Sequence, residues 1–159
     1  MIICINGVVN SGKTTIGKLL AEKLPNALFI DGDDNGLEDE HRLKEHIQAS
    51  MTYIQQSIQN IKKEYLVVAY PLRQIDYDFI QSECVKTEQE LYVITLNTPE
   101  SIALTNRGER KLMAWERKRI KEMYKQGYAT RSFSNWFVDN GSLTPNQTVD
   151  ILIDKIKKK

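Results

Sequence analysis

Long apolar runs are missing from this 159-residue chain. The longest span only a strand's length, which excludes a membrane-crossing helix. Cysteine is scarce as well: Cys4 and Cys84 are the only two, so no disulfide framework is expected, their default role is packing, and a reducing compartment suits them. An excess of either charge is also lacking. Lys and Arg number 22 and Asp and Glu 21, a net charge of +1, which removes the broad electrostatic reason to expect a nucleic acid or a membrane surface as partner. There is no internal repeat, and the only biased stretch is Lys157-Lys158-Lys159, read as a solvated helix end. With no secretory leader ahead of the first strand, a cytoplasmic protein is expected. The length suits a single domain spanning residues 1–159, and no residue pattern fixes an oligomeric state.

Against these absences stands Gly7-Val8-Val9-Asn10-Ser11-Gly12-Lys13-Thr14, a complete G-x-x-x-x-G-K-[ST] phosphate loop. It lies between the apolar run Ile2 to Ile5 and a helical pattern from Thr15 to Leu24. At average composition such a pattern arises by chance in about 0.5% of chains of this length, so the loop predicts nucleoside triphosphate binding. A strand that turns tightly into a helix aims successive main-chain N–H groups and the positive helix end at one anionic phosphate chain. Gly7, Asn10, Ser11, Gly12, Lys13, Thr14 and Thr15 are therefore the candidate nucleotide-binding residues. Lys13 adds a point charge and is expected to be exposed in the empty protein. Thr14 offers a hydroxyl to Mg²⁺, an ion that prefers oxygen ligands and keeps several waters. Asn10 stands where many such loops carry Gly, and Asn tolerates a left-handed backbone better than most residues.

Short apolar runs recur at Ile2 to Ile5, Leu28 to Ile30, Leu66 to Ala69, Leu91 to Leu96 and Trp136 to Val138. With helical patterns between them, they predict an α/β fold with a parallel sheet covered by helices. The continuously apolar Leu66-Val67-Val68-Ala69 marks a strand buried on both faces. The longest helical pattern runs from about Leu37 to Glu64, with a break expected near Gln48 to Thr52. Further helices are expected at about 74–84, 99–107, 113–127 and 145–157. Asn97 or Thr98 before Pro99, and Thr144 before Pro145, have the character of N-caps. Trp115, Trp136, Tyr124 and Tyr128 read as packing residues.

In open parallel sheets, ligands bind beyond the carboxyl ends of the strands. There the second strand ends in Asp31-Gly32-Asp33-Asp34. A carboxylate is what phosphoryl transfer to an alcohol needs to orient the attacking hydroxyl or accept its proton. Asp33 is the candidate for the acceptor, and Asp31 for the metal through water. Behind the third strand, Tyr70-Pro71-Leu72-Arg73 lacks the acid that many motor and switch ATPases place there. Arg73, and Arg42 at the start of the long helix, are candidates to hold a polar or anionic acceptor; the acceptor-side region spans about 33–60. His41 and His46 are too loosely spaced for a metal site and read as surface or pocket-edge residues. From Arg107 to Lys125 eight bases face three acids, a local net charge of +5. Positive charge concentrated in this way suits a segment closing over a triphosphate, with Arg110 as the leading candidate to stabilise the transferred phosphoryl group and Arg107 and Arg117 behind it.

Gly7 to Thr14, Asp31-Gly32-Asp33, Arg107-Gly108-Glu109-Arg110 and the ending Trp136 to Asn140 with Thr144-Pro145 together resemble the small P-loop metabolite kinases. That group includes shikimate, gluconate and adenylylsulfate kinases and the antibiotic-related chloramphenicol phosphotransferase and tunicamycin-resistance proteins. The likeness covers nearly the whole chain. It implies a P-loop NTPase fold with a five-stranded parallel sheet in the order 2-3-1-4-5, and a mobile basic lid at about 107–119. It also implies ATP and Mg²⁺ as cofactors, and an adenine site between Arg107 and the Asn140 to Pro145 region. Shikimate kinases carry a Gly-Gly pair where this chain has Tyr70-Pro71, a departure on the acceptor side.

The expectation is an ATP- and Mg²⁺-dependent phosphotransferase acting on a hydroxyl of a small polar metabolite or antibiotic, with Lys13, Asp33 and Arg110 as catalytic residues. Two alternatives stand beside it. One is a kinase of nucleosides, nucleotides or nucleic-acid ends, although the charge balance disfavours a long nucleic acid. The other is an ATP-binding sensor or sequestering module without transfer activity.

Overall fold

The structure, a computed structural model, describes residues 1–37 and 42–159. Five strands, β1 (Ile2–Asn6), β2 (Ala27–Asp31), β3 (Tyr65–Ala69), β4 (Leu91–Leu96) and β5 (Trp136–Val138), form one parallel sheet in the order β2-β3-β1-β4-β5. The helices are α1 (Lys13–Lys23), α2 (Leu43–Gln59), α3 (Gln74–Lys86), the single turn α4 (Glu100–Ala103), α5 (Ala114–Lys125) and α6 (Pro145–Lys157). Among the described residues none is long and apolar enough to cross a membrane.

The twofold alternation of strand side chains divides the core. From β1 and β3, Ile2, Cys4, Leu66 and Val68 face α2 and α3 and pack with Ile54, Ile58, Ile80 and Cys84. Ile3, Ile5 and Val67 face the other way, onto Ile16 and Leu20 of α1 and Val149 and Leu152 of α6. Both faces of the central strands are thus covered, which is why β3 needs no polar alternation. A smaller cluster, Val8, Ala103, Leu112, Ile120 and Met123, seats α5 beside the loop that follows β1. Cys4 and Cys84 are buried free thiols.

Several sequence expectations need correction. The long helix begins at Leu43, runs unbroken through residues 48–52 and stops at Gln59. Its buried Ser50 is accommodated without a break because the hydroxyl accepts from the Asn35 amide at 3.0 Å. His41 lies outside the described residues. The helix expected at 99–107 shrinks to one turn: Pro99 holds the N-cap place, and the Thr98 hydroxyl is spent on the side-chain Oδ1 of Asn140 at 2.5 Å. Trp115 is not a packing residue, since it is 68% exposed. Trp136 does pack, its ring 5.3 Å from that of Tyr92, and Tyr128 is buried. Thr144 caps α6, accepting from Gln147 N–H while the Gln147 side chain accepts from Thr144 N–H.

Candidate active site

The loop after β1 opens at the carboxyl edge of the sheet, where three positive φ angles curl its main chain: Gly7 (+152°), Asn10 (+63°) and Gly12 (+95°). Gly7 admits no side chain, because a Cβ there would lie 2.6 Å from Ser11 Oγ and 3.1 Å from the Leu96 carbonyl. Gly12 holds the left-handed N-cap of α1 with no side-chain cap, so the first N–H groups of that helix stay available to an anion. Asn10 adopts the left-handed conformation its residue type permits. Ser11 is fully buried and its hydroxyl finds no partner among the described residues; its side chain therefore sits beneath the loop rather than in the cavity.

Lys13 is half-buried, not exposed as its sequence position suggests, and donates to the Val8 carbonyl at 2.7 Å. Burial pulls its ammonium down to about 8; Asp33 and Asp31 pull it back up, and Arg110 pushes it further down. Next to it, the Thr14 hydroxyl donates to Asp31 Oδ2 at 2.6 Å. The turn after β2 is tied by its own acid: Asp33 N–H donates to Asp31 Oδ1 at 3.1 Å, and Asp34 N–H to the Asp31 carbonyl at 3.1 Å. Asp33 is exposed at the rim of the turn. Partial desolvation and the Asp31 charge raise its carboxyl above the usual range, with Lys13 and His46 opposing.

Two cavities meet at Thr14, which lines both. One, of about 470 Å³, has Lys13, Thr15, Arg107, Arg110, Asn140 and Pro145 in its wall. The other, of about 570 Å³, is walled by Asp31, Asp33, Asp34, Lys18 and Tyr53. Arg107 donates to the Asn10 carbonyl at 2.9 Å. Arg110 pairs with Glu116, whose carboxylate also accepts from Met113 N–H at 2.8 Å and so caps α5. That N–H, then Arg110, hold the Glu116 carboxyl below its ordinary value. Arg117 donates to the Leu104 carbonyl.

Lys13, Thr14, Asp31, Asp33, Arg107, Arg110 and Pro145 are thus brought to one edge of the sheet. Arg73 and Arg42 are not in either cavity wall. The Arg73 guanidinium is committed to Asp76 through Nε (2.9 Å) and Nη2 (2.7 Å), and Arg42 is exposed at the start of α2. Sequence reasoning missed Asn6 and Arg131, and gave Asn140 only the place at the adenine site that the resemblance implies. Buried Asn6 donates to the Thr95 hydroxyl (2.9 Å) and the Tyr128 carbonyl (3.2 Å) and accepts from Leu72 N–H (2.8 Å). Asn140 donates to the Ser11 carbonyl at 2.8 Å, supporting the phosphate loop from below. Arg131 lies over the Tyr128 ring at 4.3 Å and donates to the Leu72 carbonyl. The one sequence signal was an amide ending an otherwise apolar strand, at Asn6.

The donor set suits Mg²⁺. A threonine hydroxyl and a carboxylate are hard oxygen ligands, and no group of three or more His, Cys, Asp or Glu residues forms a protein cage among the described residues. An ion that retains water and arrives with phosphate oxygens matches such a site.

No protein-family model matches the chain, and no curated protein sequence does. Solved structures do. A gluconokinase from Sinorhizobium meliloti 1021 superposes with a TM-score of 0.78 at 17% identity, over 98% of this chain and 91% of that one. Shikimate kinase from Aquifex aeolicus gives 0.69 at 19% identity, over 99% and 96%. The Mycobacterium tuberculosis APS kinase, solved with AMPPNP and APS, gives 0.67 at 13% identity, over 98% and 96%. The fold of this chain is that of the small P-loop metabolite kinases.

Proposed function

We propose that the protein is an ATP- and Mg²⁺-dependent phosphotransferase that moves the γ-phosphate to a hydroxyl of a small polar metabolite or antibiotic. The observation that carries this reading is the bond from Thr14 to Asp31, 2.6 Å long, which sets the acidic turn against the phosphate loop. Phosphoryl transfer is mostly positioning and charge stabilisation, and this junction supplies both. Fold neighbours that are small-molecule kinases support the same class of reaction.

In this reading the loop amides and Lys13 hold the β- and γ-phosphates. Bound Mg²⁺ would supply charge neutralisation on the phosphate oxygens, with Thr14 as ligand and Asp31 reaching it through water. Arg107, Asn140 and Pro145 flank the base. Asp33 orients the acceptor hydroxyl and takes its proton as the acceptor oxygen bonds to the γ-phosphorus. The bond from that phosphorus to the β–γ bridging oxygen breaks, releasing ADP. Arg110 moves towards the charge spreading on the transferred group. Arg73, spent on Asp76 and outside both cavity walls, is given no part in holding the acceptor.

The test is a thermal-shift screen of metabolites and antibiotics in the presence of Mg²⁺ and a non-hydrolysable ATP analogue, since a ligand that binds only the folded state raises its melting temperature. Hits are then assayed for transfer from labelled ATP. Lys13→Ala is expected to abolish transfer; full activity in that variant would refute the assignment. Binding without any product would favour a sequestering module instead.

A further inference from the structure

We infer that Asn10 is a positioning residue that binds the phosphate loop to the root of the proposed lid, so that one side-chain amide helps set nucleotide affinity and the placement of Arg107. The inference rests on the ATP reading above. Both amide protons of Asn10 are used: Nδ2 donates to the Ala103 carbonyl at 2.8 Å and to the Thr105 carbonyl at 2.9 Å. These carbonyls lie at the end of α4, where the helix itself offers no donors. A bond returns in the other direction, from Arg107 Nη1 to the Asn10 main-chain carbonyl at 2.9 Å. Residue 10 therefore contacts the 103–107 segment through its side chain and its backbone, and Arg117 holds Leu104 between the two anchors. Val8 and Ala103 pack in one buried cluster with Leu112 and Ile120, which stiffens the same junction.

The chemistry selects an amide at this place. Glycine would accept the backbone angle of +63° but would leave both carbonyls without the bridge. Aspartate tolerates the same angle, yet would set an acceptor against two acceptors. Only a residue that combines left-handed tolerance with two donors on one nitrogen satisfies the geometry. A triphosphate pressing on the loop main chain is thereby transmitted to residues 103–107, and Arg107 lines the nucleotide cavity.

The experiment uses the full chain carrying Trp136→Phe, so that exposed Trp115 of the 107–119 segment is the one remaining tryptophan. Mg²⁺ with a non-hydrolysable ATP analogue is titrated by calorimetry and by Trp115 fluorescence. Asn10→Gly is expected to bind about five- to tenfold more weakly, the scale of one or two neutral hydrogen bonds, with a diminished fluorescence change at saturation. Asn10→Asp should do the same or worse while keeping its circular dichroism. Unchanged affinity and fluorescence in Asn10→Gly would overturn the inference, as would a lower melting temperature with unchanged affinity. A parent protein that binds no analogue would defeat the ATP reading and this inference with it.

Discussion

The Thr14 hydroxyl donates to Asp31 Oδ2 across 2.6 Å, joining the residue after the loop lysine to the last residue of β2. If Asp31 acts on Mg²⁺ through water, it is an outer-shell partner of the kind whose loss costs about 10- to 100-fold in metal affinity. Asp31→Asn should raise the Mg²⁺ concentration for half-maximal binding of the ATP analogue by about tenfold. Metal-free nucleotide should bind almost as before. Calorimetry at fixed nucleotide and varied Mg²⁺ reads both, and an unchanged Mg²⁺ requirement would remove Asp31 from the metal site.

Lys13 predicts a basic limit to nucleotide binding. Burial lowers its ammonium to about 8, whereas a bound polyphosphate stabilises the charged form. The bound state therefore holds a proton that the free state loses above that value. Affinity for Mg·ATP should be flat in the Lys13 contribution below pH 8 and fall above it, by up to about tenfold per pH unit. Lys13→Met should bind weakly with no such fall. A wild-type affinity that stays level to pH 10 would contradict the assignment.

Asp33 sets the acid limit. Partial desolvation, then the Asp31 charge, raise its carboxyl above the ordinary 3.8, and only the ionised form accepts a proton. Transfer should fail on acidification at a pH above that of an ordinary aspartate. The folded state also binds this proton more tightly than the unfolded one, so stability falls as pH rises from 3.8 through the folded value, and the cost persists at neutral pH. Asp33→Asn should accordingly lower kcat by about 100-fold or more, leave nucleotide affinity intact and raise the melting temperature of the empty protein slightly. Retained kcat would exclude the role in catalysis.

The parts of this site legible in the sequence were those written locally. The phosphate loop is one contiguous motif, the acidic turn is four adjacent residues, and strand positions follow apolar runs. Thr144-Pro145 announced a helix start because cap and proline are neighbours. What escaped depends on side-chain conformation, on which face of a helix is buried, or on residues far apart in the chain. Arg73 has the same composition whether it faces a substrate or Asp76, and only the conformation around α3 decides. Asn140 reaches the Ser11 carbonyl across 129 positions, so nothing near it in sequence signals support of the loop. Trp115 looked like core because tryptophans usually are; its helix α5 buries Ile120 and Met123 instead, turning position 115 outwards.

Asn6 leads to a prediction about stability rather than chemistry. Fully buried at the end of β1, it satisfies Leu72 N–H, the Thr95 hydroxyl and the Tyr128 carbonyl, binding the ends of β3 and β4 and the segment after α5 to the strand that bears the phosphate loop. Removing the amide leaves Leu72 N–H and the Tyr128 carbonyl desolvated without this partner, whereas the Thr95 hydroxyl keeps Ser134 Oγ at 2.6 Å, and a buried unsatisfied group costs about 1–3 kcal/mol. Asn6→Ala should therefore lose about 2–4 kcal/mol by denaturant titration, with an unchanged slope showing that the same surface unfolds. Asn6→Leu should be no better, because bulk without hydrogen-bonding groups repairs neither. Leu72 also holds Arg131 through its carbonyl at 3.2 Å, so loosening it releases Arg131 as well as the chain after β3. A denaturation midpoint in Asn6→Ala equal to that of the parent protein would show that these bonds add nothing to the junction between β1, β3 and β4.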